Sequence, residues 1–292
     1  MVLKSMYSIV VVNYGDPSDV IRLAEELLEL IIEGIVEFVV VDNFVNNSFT
    51  NILKNSLPKE VVLYKSEYNL GFAAACNIGV ELSTGNSLIL VNPDAFITKE
   101  SLVKFIESDK ELRKAEKIGV TGINITSEFE KTVIGSKFPT LVDLLFSIIG
   151  YNRIFIYTLI ESGTQRIDQV IGAFFCTTRD IWDRLEGLDE QFFVYYEELD
   201  FCFRLHQKGY FNYVFTEIYM NHASGAASKN AGPKRMLFQL RSKRLYFDKH
   251  FTNTRVIVSA VIFLELVLRV LISNKISTFN SSLKYVYGRS DY

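Results

Sequence analysis

The sequence predicts an α/β fold in which a mostly parallel central sheet carries helices on both faces. Three observations point to it. From Tyr7 to Val91, apolar β-branched runs alternate with helix-period segments in the order βαβαβαβ. The apolar runs are continuous rather than alternating, as strands covered on both faces require. Polar residues follow the C-terminal ends of three of these runs, the edge at which open α/β sheets bind ligands.

The elements read as follows. "YSIVVVNY" is the first buried strand, and "PSDVIRLAEELLELIIEG" has helical periodicity between Pro17 and Gly34. "VEFVVVDN" is the second strand, a helix lies within Ser48 to Ser56, and "EVVLYKS" is the third strand. A turn at "EYNLGF" opens a helix through "AAACNIGVELSTG", and "SLILV" is the fourth strand. A charged helix from Lys99 to Lys117 then leads to the strand "IGVTGINI". "LVDLLFSIIG" and Tyr151 to Ile160 are apolar and fit no single class. "IDQVIGAFFCTTRDIWDRLEGLDEQFFVYYEELDFCFRLHQKGY" holds a strand, a short helix, a loop, and a helix from Glu197 to Lys208 stopped by Gly209. Past His222 the chain turns polar and basic, and it finishes with "RVIVSAVIFLELVLRVLIS". The expected division is one domain over 1–250 and an apolar helical extension over 251–292.

Composition narrows the class. Hydrophobic residues make up 49% of 292 and charged residues 22%, which excludes wholesale disorder. A net charge of -3 argues against a general nucleic-acid binder. Cys76, Cys176 and Cys202 are odd in number and widely spaced. They suit neither a disulfide framework nor a zinc site, and fit a reducing cytoplasm. The N-terminal apolar run reads as a strand rather than a signal peptide.

The polar residues of the rim are Asn13 and Tyr14, Asp42 and Asn43, and Asn92 and Asp94. Asn92-Pro93-Asp94 makes an ordinary turn, but at a strand's C-terminal end it also offers a carboxylate on a rigid corner. Magnesium or manganese bound to a diphosphate needs only one or two such protein ligands. Asp42 is either a turn residue or an acceptor for a ribose or base; no G-x-G-x-x-G accompanies it, so a dinucleotide dehydrogenase fits poorly. Asn69 and Gly71 precede a helix with a small-residue first turn. That feature suits close helix–sheet packing or an anion at the helix N-terminus. In "YYEELDFCFRLH", Glu197, Asp200 and Arg204 share a helix face, and Asp200–Arg204 has ordinary ion-pair spacing. The aromatic wall before them would raise a carboxylate toward the range of a general base, a role open to Glu198. His222 follows a strand and would become a ligand near a metal. His206 and His250 read as surface residues.

Taken in order, "VVNY", "VVVDN", "NLGFAAACNIG", "LVNPDA", "GLDEQFFVYYEELDFCFRLHQKGY" and "NHASGAAS" resemble the family 2 inverting glycosyltransferases of the GT-A fold. The likeness is greatest to the bacterial rhamnosyltransferase-like branch, and it runs from about Ser8 to His250. The resemblance implies that Asn13 and Asp42 contact the nucleoside, with Asn69 and Asn77 nearby. Asn92-Pro93-Asp94 is similar to the family's DxD metal motif, with Asp94 as the carboxylate and His222 as the later ligand of Mg2+ or Mn2+. Glu198 stands where the family's catalytic Asp is usual, flanked by Glu197 and Asp200.

The implied activity is transfer of a sugar, rhamnose first, from a dTDP- or UDP-sugar to a saccharide hydroxyl with inversion. Galactose, galactofuranose or N-acetylglucosamine are alternatives. The implied acceptor is a lipid-linked precursor of a cell-surface polysaccharide. A sugar-nucleotide-binding protein without activity shares the fold class, whereas a nucleotidyltransferase would need a basic Gly-rich loop that "NYGDPSD" does not supply. Val256 to Ile272 is short for a membrane span and contains Glu265 and Arg269. Two readings stay open for it. It gives either a cytoplasmic enzyme peripheral on the inner membrane, or a helix pair packed on the domain or across a homodimer.

Overall fold

Seven consecutive buried residues form the first strand, β1 (Tyr7–Asn13), at the centre of the sheet. The computed structural model describes residues 7–115, 117–126, 135–148, 156–157, 163–222, 234–272 and 279–288. Of Ile156, Tyr157, His222 and Ile272 it describes the backbone alone. Most of Tyr151 to Ile160, and all of "ASGAAS" after His222, lie outside the described residues.

β1 pairs in parallel with β2 (Val36–Asp42) and β4 (Ser87–Val91), and β2 pairs in parallel with β3 (Val62–Lys65). The register sets Asn13 opposite Asp42 and Asp42 opposite Lys65, so these strands end level. Level ends are what turn three separate loops into one rim.

Beyond β4 the sheet becomes mixed. β11 (Phe174–Thr178) lies antiparallel between β4 and β6 (Ile118–Thr126). β12 (Phe211–His222) runs parallel to β6 and antiparallel to β5 (Ala95–Phe96) and β9 (Thr164–Ile167). The parallel expectation therefore holds for the N-terminal half of the sheet. A short second sheet joins β10 (Gln169–Val170), β7 (Gly135–Ser136) and β8 (Ile156–Tyr157).

Helices cover both faces. The segment expected as one helix after β1 is two, α1 (Ser18–Glu26) and α2 (Leu28–Ile32), broken at Leu27. α3 (Asn47–Ser56) is capped by Asn46, whose side chain accepts from the Ser48 amide at 2.9 Å. α4 (Phe72–Glu81) lies close on β1: a methyl group at Gly79 would sit 2.3 Å from a Val10 methyl. Gly79 thus serves helix–sheet packing. α5 (Lys99–Leu112) ends before the expected Lys117, which takes the left-handed conformation at φ 65°.

One core lies under α1, α2 and α5 and includes Val11, Phe38, Phe105 and Phe174. The other includes Val10, Val41, Cys76, Phe175 and Phe201 and lies under α4, α7 (Arg179–Arg184) and α8 (Glu197–Gln207). A third core joins α6 (Leu141–Ser147), α9 (Lys234–His250), α10 (Arg255–Ile272) and α11 (Phe279–Tyr287) through Leu144, Tyr246, Ile262 and Val286. α9 therefore shares its packing with the helices beyond residue 250. Glu265, read in the sequence as an interruption of an apolar run, is buried. It meets Lys243 at 2.9 Å, Arg269 at 2.6 Å and the Ser147 hydroxyl at 3.0 Å. No helix among the described residues is long and apolar enough to cross a membrane.

Candidate active site

The rim begins at the paired ends of β1 and β2. Asn13 donates to Asp42 Oδ1 at 3.2 Å, while Asp42 Oδ2 accepts from Thr50 at 2.5 Å and Lys65 at 3.3 Å. Asp42 is completely buried, and both its oxygens are engaged by the protein. It is a hub that orients Asn13, Thr50 and Lys65. Next to it, Tyr14 is partly exposed and sets its ring edge-on to Phe44 at 5.2 Å, an aromatic flank suited to a nucleobase.

Asn43 organises the neighbouring turn. Its amide donates to Asn69 at 3.1 Å and the Gly71 carbonyl at 3.0 Å, and its oxygen accepts from the Leu70 amide at 2.9 Å. Gly71 adopts φ 83°, and a methyl there would lie 2.5 Å from the Phe193 carbonyl. That close approach requires glycine. The Phe72 amide in turn donates to Phe193 O at 2.6 Å, so the "NLGF" turn is fastened to the "EQFF" loop. Asn77, expected beside the nucleoside, is engaged elsewhere. It clamps Leu188 through both its amide (2.9 Å) and its oxygen (3.0 Å), and it donates to Glu190.

The Asn92-Pro93-Asp94 corner is a turn closed by the Ala95 amide on Asn92 O at 3.0 Å. Asp94 is 5% exposed. Backbone register pairs Ala95, the next residue, with His222, which brings the end of β12 beside the corner. The His222 side chain, the expected second ligand, lies outside the described residues.

The Asn92 amide donates to Ala173 O at 3.1 Å. The residue before Ala173 is Gly172, where a methyl would lie 3.2 Å from Glu198 Oε1. One peptide unit therefore separates the proline corner from the first turn of α8. Sequence reasoning missed this bridge, because "IGAFF" carries no titratable group to attract notice.

The acids on α8 divide. Tyr195 and Tyr196, both in the left-handed region at φ 70° and 74°, lead into the helix. Bulky residues are rare there, and such strain concentrates at functional sites. Glu197 and Glu198 each keep an Oε2 that is shut from solvent and lacks a hydrogen-bond partner among the described residues. Burial pushes both carboxyls up. Repulsion by Glu198 and the hydrogen bond between the two groups raise Glu197 further; that same bond, with the Gly172 amide, draws Glu198 back down. Glu197 is therefore the more strongly raised of the two.

Asp200 differs. It is fully buried and meets Arg204 at 2.7 Å, Lys249 at 2.7 Å and His250 at 2.8 Å. Burial alone would raise its carboxyl, but His250, Arg204 and Lys249 outweigh that and lower it. His250, read as a surface residue, has a 5% exposed side chain and ties α9 to α8. A partner 50 positions away in the chain leaves no local signal.

Fold and rim together define a nucleotide-sugar transferase architecture of the GT-A type. The chain matches the family described as Glycosyl transferase family 2 over residues 8–167 and belongs to that family. It is similar to the low-salt glycan biosynthesis hexosyltransferase Agl10 of Haloferax volcanii, with 25% identity over 205 residues. That match covers 68% of this chain, which spans only 60% of the relative's length. Among solved structures it resembles GalNAc-T7 with UDP, GalNAc and Mn2+ at a TM-score of 0.58 and 16% identity, covering 85% of this chain and 50% of that one. It also resembles the mannosyltransferase PcManGT of Pyrobaculum calidifontis, in complex with GDP-Man and Mn2+, at a TM-score of 0.52 and 14% identity. There the coverage is 100% of this chain and 77% of the other. At these identities the structural likeness speaks to the fold.

Proposed function

We propose that the chain is an inverting hexosyltransferase that moves a sugar from a nucleoside-diphosphate sugar to a saccharide hydroxyl. The observation that carries this reading is the Gly172–Ala173 bridge, which separates the Asn92-Pro93-Asp94 corner from Glu198, whose Oε2 lacks a partner among the described residues, by one peptide.

In this reading Tyr14 flanks the nucleobase, and Asn13 and Asn43, oriented by Asp42 and Asn69, edge the nucleoside. No group of three or more His, Cys, Asp or Glu suited to a metal occurs among the described residues. A cation on a diphosphate takes most of its oxygen ligands from the diphosphate and water. Asp94 and His222 would hold Mg2+ or Mn2+ there, and the bound ion would supply positive charge to the departing diphosphate. Glu198 accepts the proton of the acceptor hydroxyl through its Oε2. The freed oxygen forms the new bond at the anomeric carbon as the bond to the diphosphate oxygen breaks on the opposite face, which inverts the centre. Glu197 keeps its own proton and steadies the Glu198 charge. Alignment of the two substrates contributes roughly 7–11 kcal/mol to lowering the barrier, and the base about 10²–10⁴-fold.

The finer assignments rest on the resemblance. Rhamnose is the first donor sugar to test, followed by galactose, galactofuranose and N-acetylglucosamine, and the acceptor is a lipid-linked saccharide at the cytoplasmic face of the membrane. A panel of dTDP-, UDP- and GDP-sugars with a synthetic lipid-linked acceptor, run with and without EDTA, tests the whole reading. Transfer from one donor that stops on chelation, and that Asp94→Ala removes, is expected. Turnover indifferent to both would overturn the cation site, and no turnover with any donor would favour a binding protein.

A further inference from the structure

The outer face of α10 is apolar and open. Val256 is 84% exposed, Leu271 is 55% exposed, and Ile257, Phe263 and Leu264 are exposed between them. The inner face is held down by Val258, Ile262, Leu266 and the buried Glu265, so the helix is apolar almost all round yet only half covered. Such a helix is normally enclosed by protein or lipid. α6, bonded to α10 through Ser147 and Glu265, adds Val142, Leu145 and Phe146, all exposed. An apolar surface built from two neighbouring elements marks an interaction site.

Charge identifies the occupant. Residues 234–292 carry eleven Lys and Arg against three Asp and Glu; the first 233 residues carry the remaining 20 and 31. Lys243, Arg244, Lys249 and Arg269 are held in ion pairs, and the unit keeps an excess of cations, Lys234, Arg255 and Lys284 among them exposed, on an otherwise acidic protein. Arg255 adjoins Val256 at one end of the face, and Lys284 is exposed on α11, which packs beside α10 through Phe279 and Phe263. Two copies meeting through this face would bring two cationic units together, which disfavours a symmetric dimer. A surface of anionic lipid headgroups over acyl chains matches both the charge and the apolar stripe.

We propose that α6 and α10 form one in-plane docking face for an anionic lipid leaflet, with Glu265 fixing α10 flat against the protein instead of across the bilayer. Sugar transfer is not a premise of this proposal: the test contains neither donor nor acceptor, so either reading can fail alone.

Flotation of the full chain with vesicles of phosphatidylcholine alone, and of phosphatidylcholine with an equal part of phosphatidylglycerol, measures it. Binding to the anionic vesicles is expected, weaker by at least about tenfold on the neutral ones and falling as salt screens the charges. Replacing Lys234, Arg255 and Lys284 together by Gln should lower the anionic partition constant about a hundredfold, each cation near such a surface contributing about a fivefold effect. Leu264→Glu and Val142→Glu, both outward-facing, should each abolish flotation while leaving the thermal midpoint unchanged. Equal binding to both vesicles, or none to either, would overturn the proposal. So would a concentration-dependent dimer, seen by sedimentation, that the Glu variants dissociate without any vesicle binding.

Discussion

Two carboxylate sites on the same rim are built in opposite ways. Asp42 is saturated: Asn13, Thr50 and Lys65 surround it, and neither oxygen lacks a donor. Glu197 and Glu198 are starved: each leaves an oxygen buried with no partner among the described residues. A saturated carboxylate holds its neighbours still. A starved pair is pushed up by burial and gains most when a hydroxyl arrives. In the proposed reaction the first site positions and the second takes the proton.

The comparison can be broken most severely at Glu198. Glu198→Gln keeps the shape but cannot take a proton. Transfer should fall by about 10²–10⁴-fold while donor affinity, read by calorimetry, stays within a factor of about two. Equal losses in both would make Glu198 a binding residue instead.

Asp42→Asn probes the saturated site. It removes one acceptor and leaves a buried donor unpaired, costing about 1–3 kcal/mol by urea titration. Its effect should appear in stability and donor KM, with kcat little changed.

Glu197→Gln is the mildest change and sharpens the contrast through pH. Because its folded carboxyl is raised, Glu197 contributes stability below its unfolded pKa and loses it as pH rises through the folded value. The variant should therefore match the wild type in mildly acid solution and exceed it in thermal midpoint in alkaline solution. A gap that narrows with rising pH would contradict the proton assignment.

Much of the rim was readable because its signals are local. Continuous β-branched runs give the strands, and Asn-Pro-Asp and Asn-Leu-Gly give the turns at their ends. The direction of β11 was not readable: five apolar residues do not say which way they run, and antiparallel pairing between β4 and β6 is decided by the packing around them. The break at Leu27 keeps the apolar period of one helix and so leaves no mark. The partners of Asn77 and the burial of His250 were not readable for a common reason. Their partners, Leu188 and Asp200, lie 111 and 50 positions away in sequence, and polar residues at helical positions look alike until such partners are known. The Gly172–Ala173 bridge works through backbone, which no side chain announces.

The close seat of Gly71 against Phe193 has an evolutionary consequence. The turn at Gly71 belongs to the half proposed to meet the nucleotide, whereas Phe193 leads into the segment that carries the acids, and there is no room between them for even a methyl group. A lineage that reshapes one half to accept a new sugar must carry the other with it. Donor and acceptor preferences in this protein should therefore drift together, as linked traits rather than independent ones.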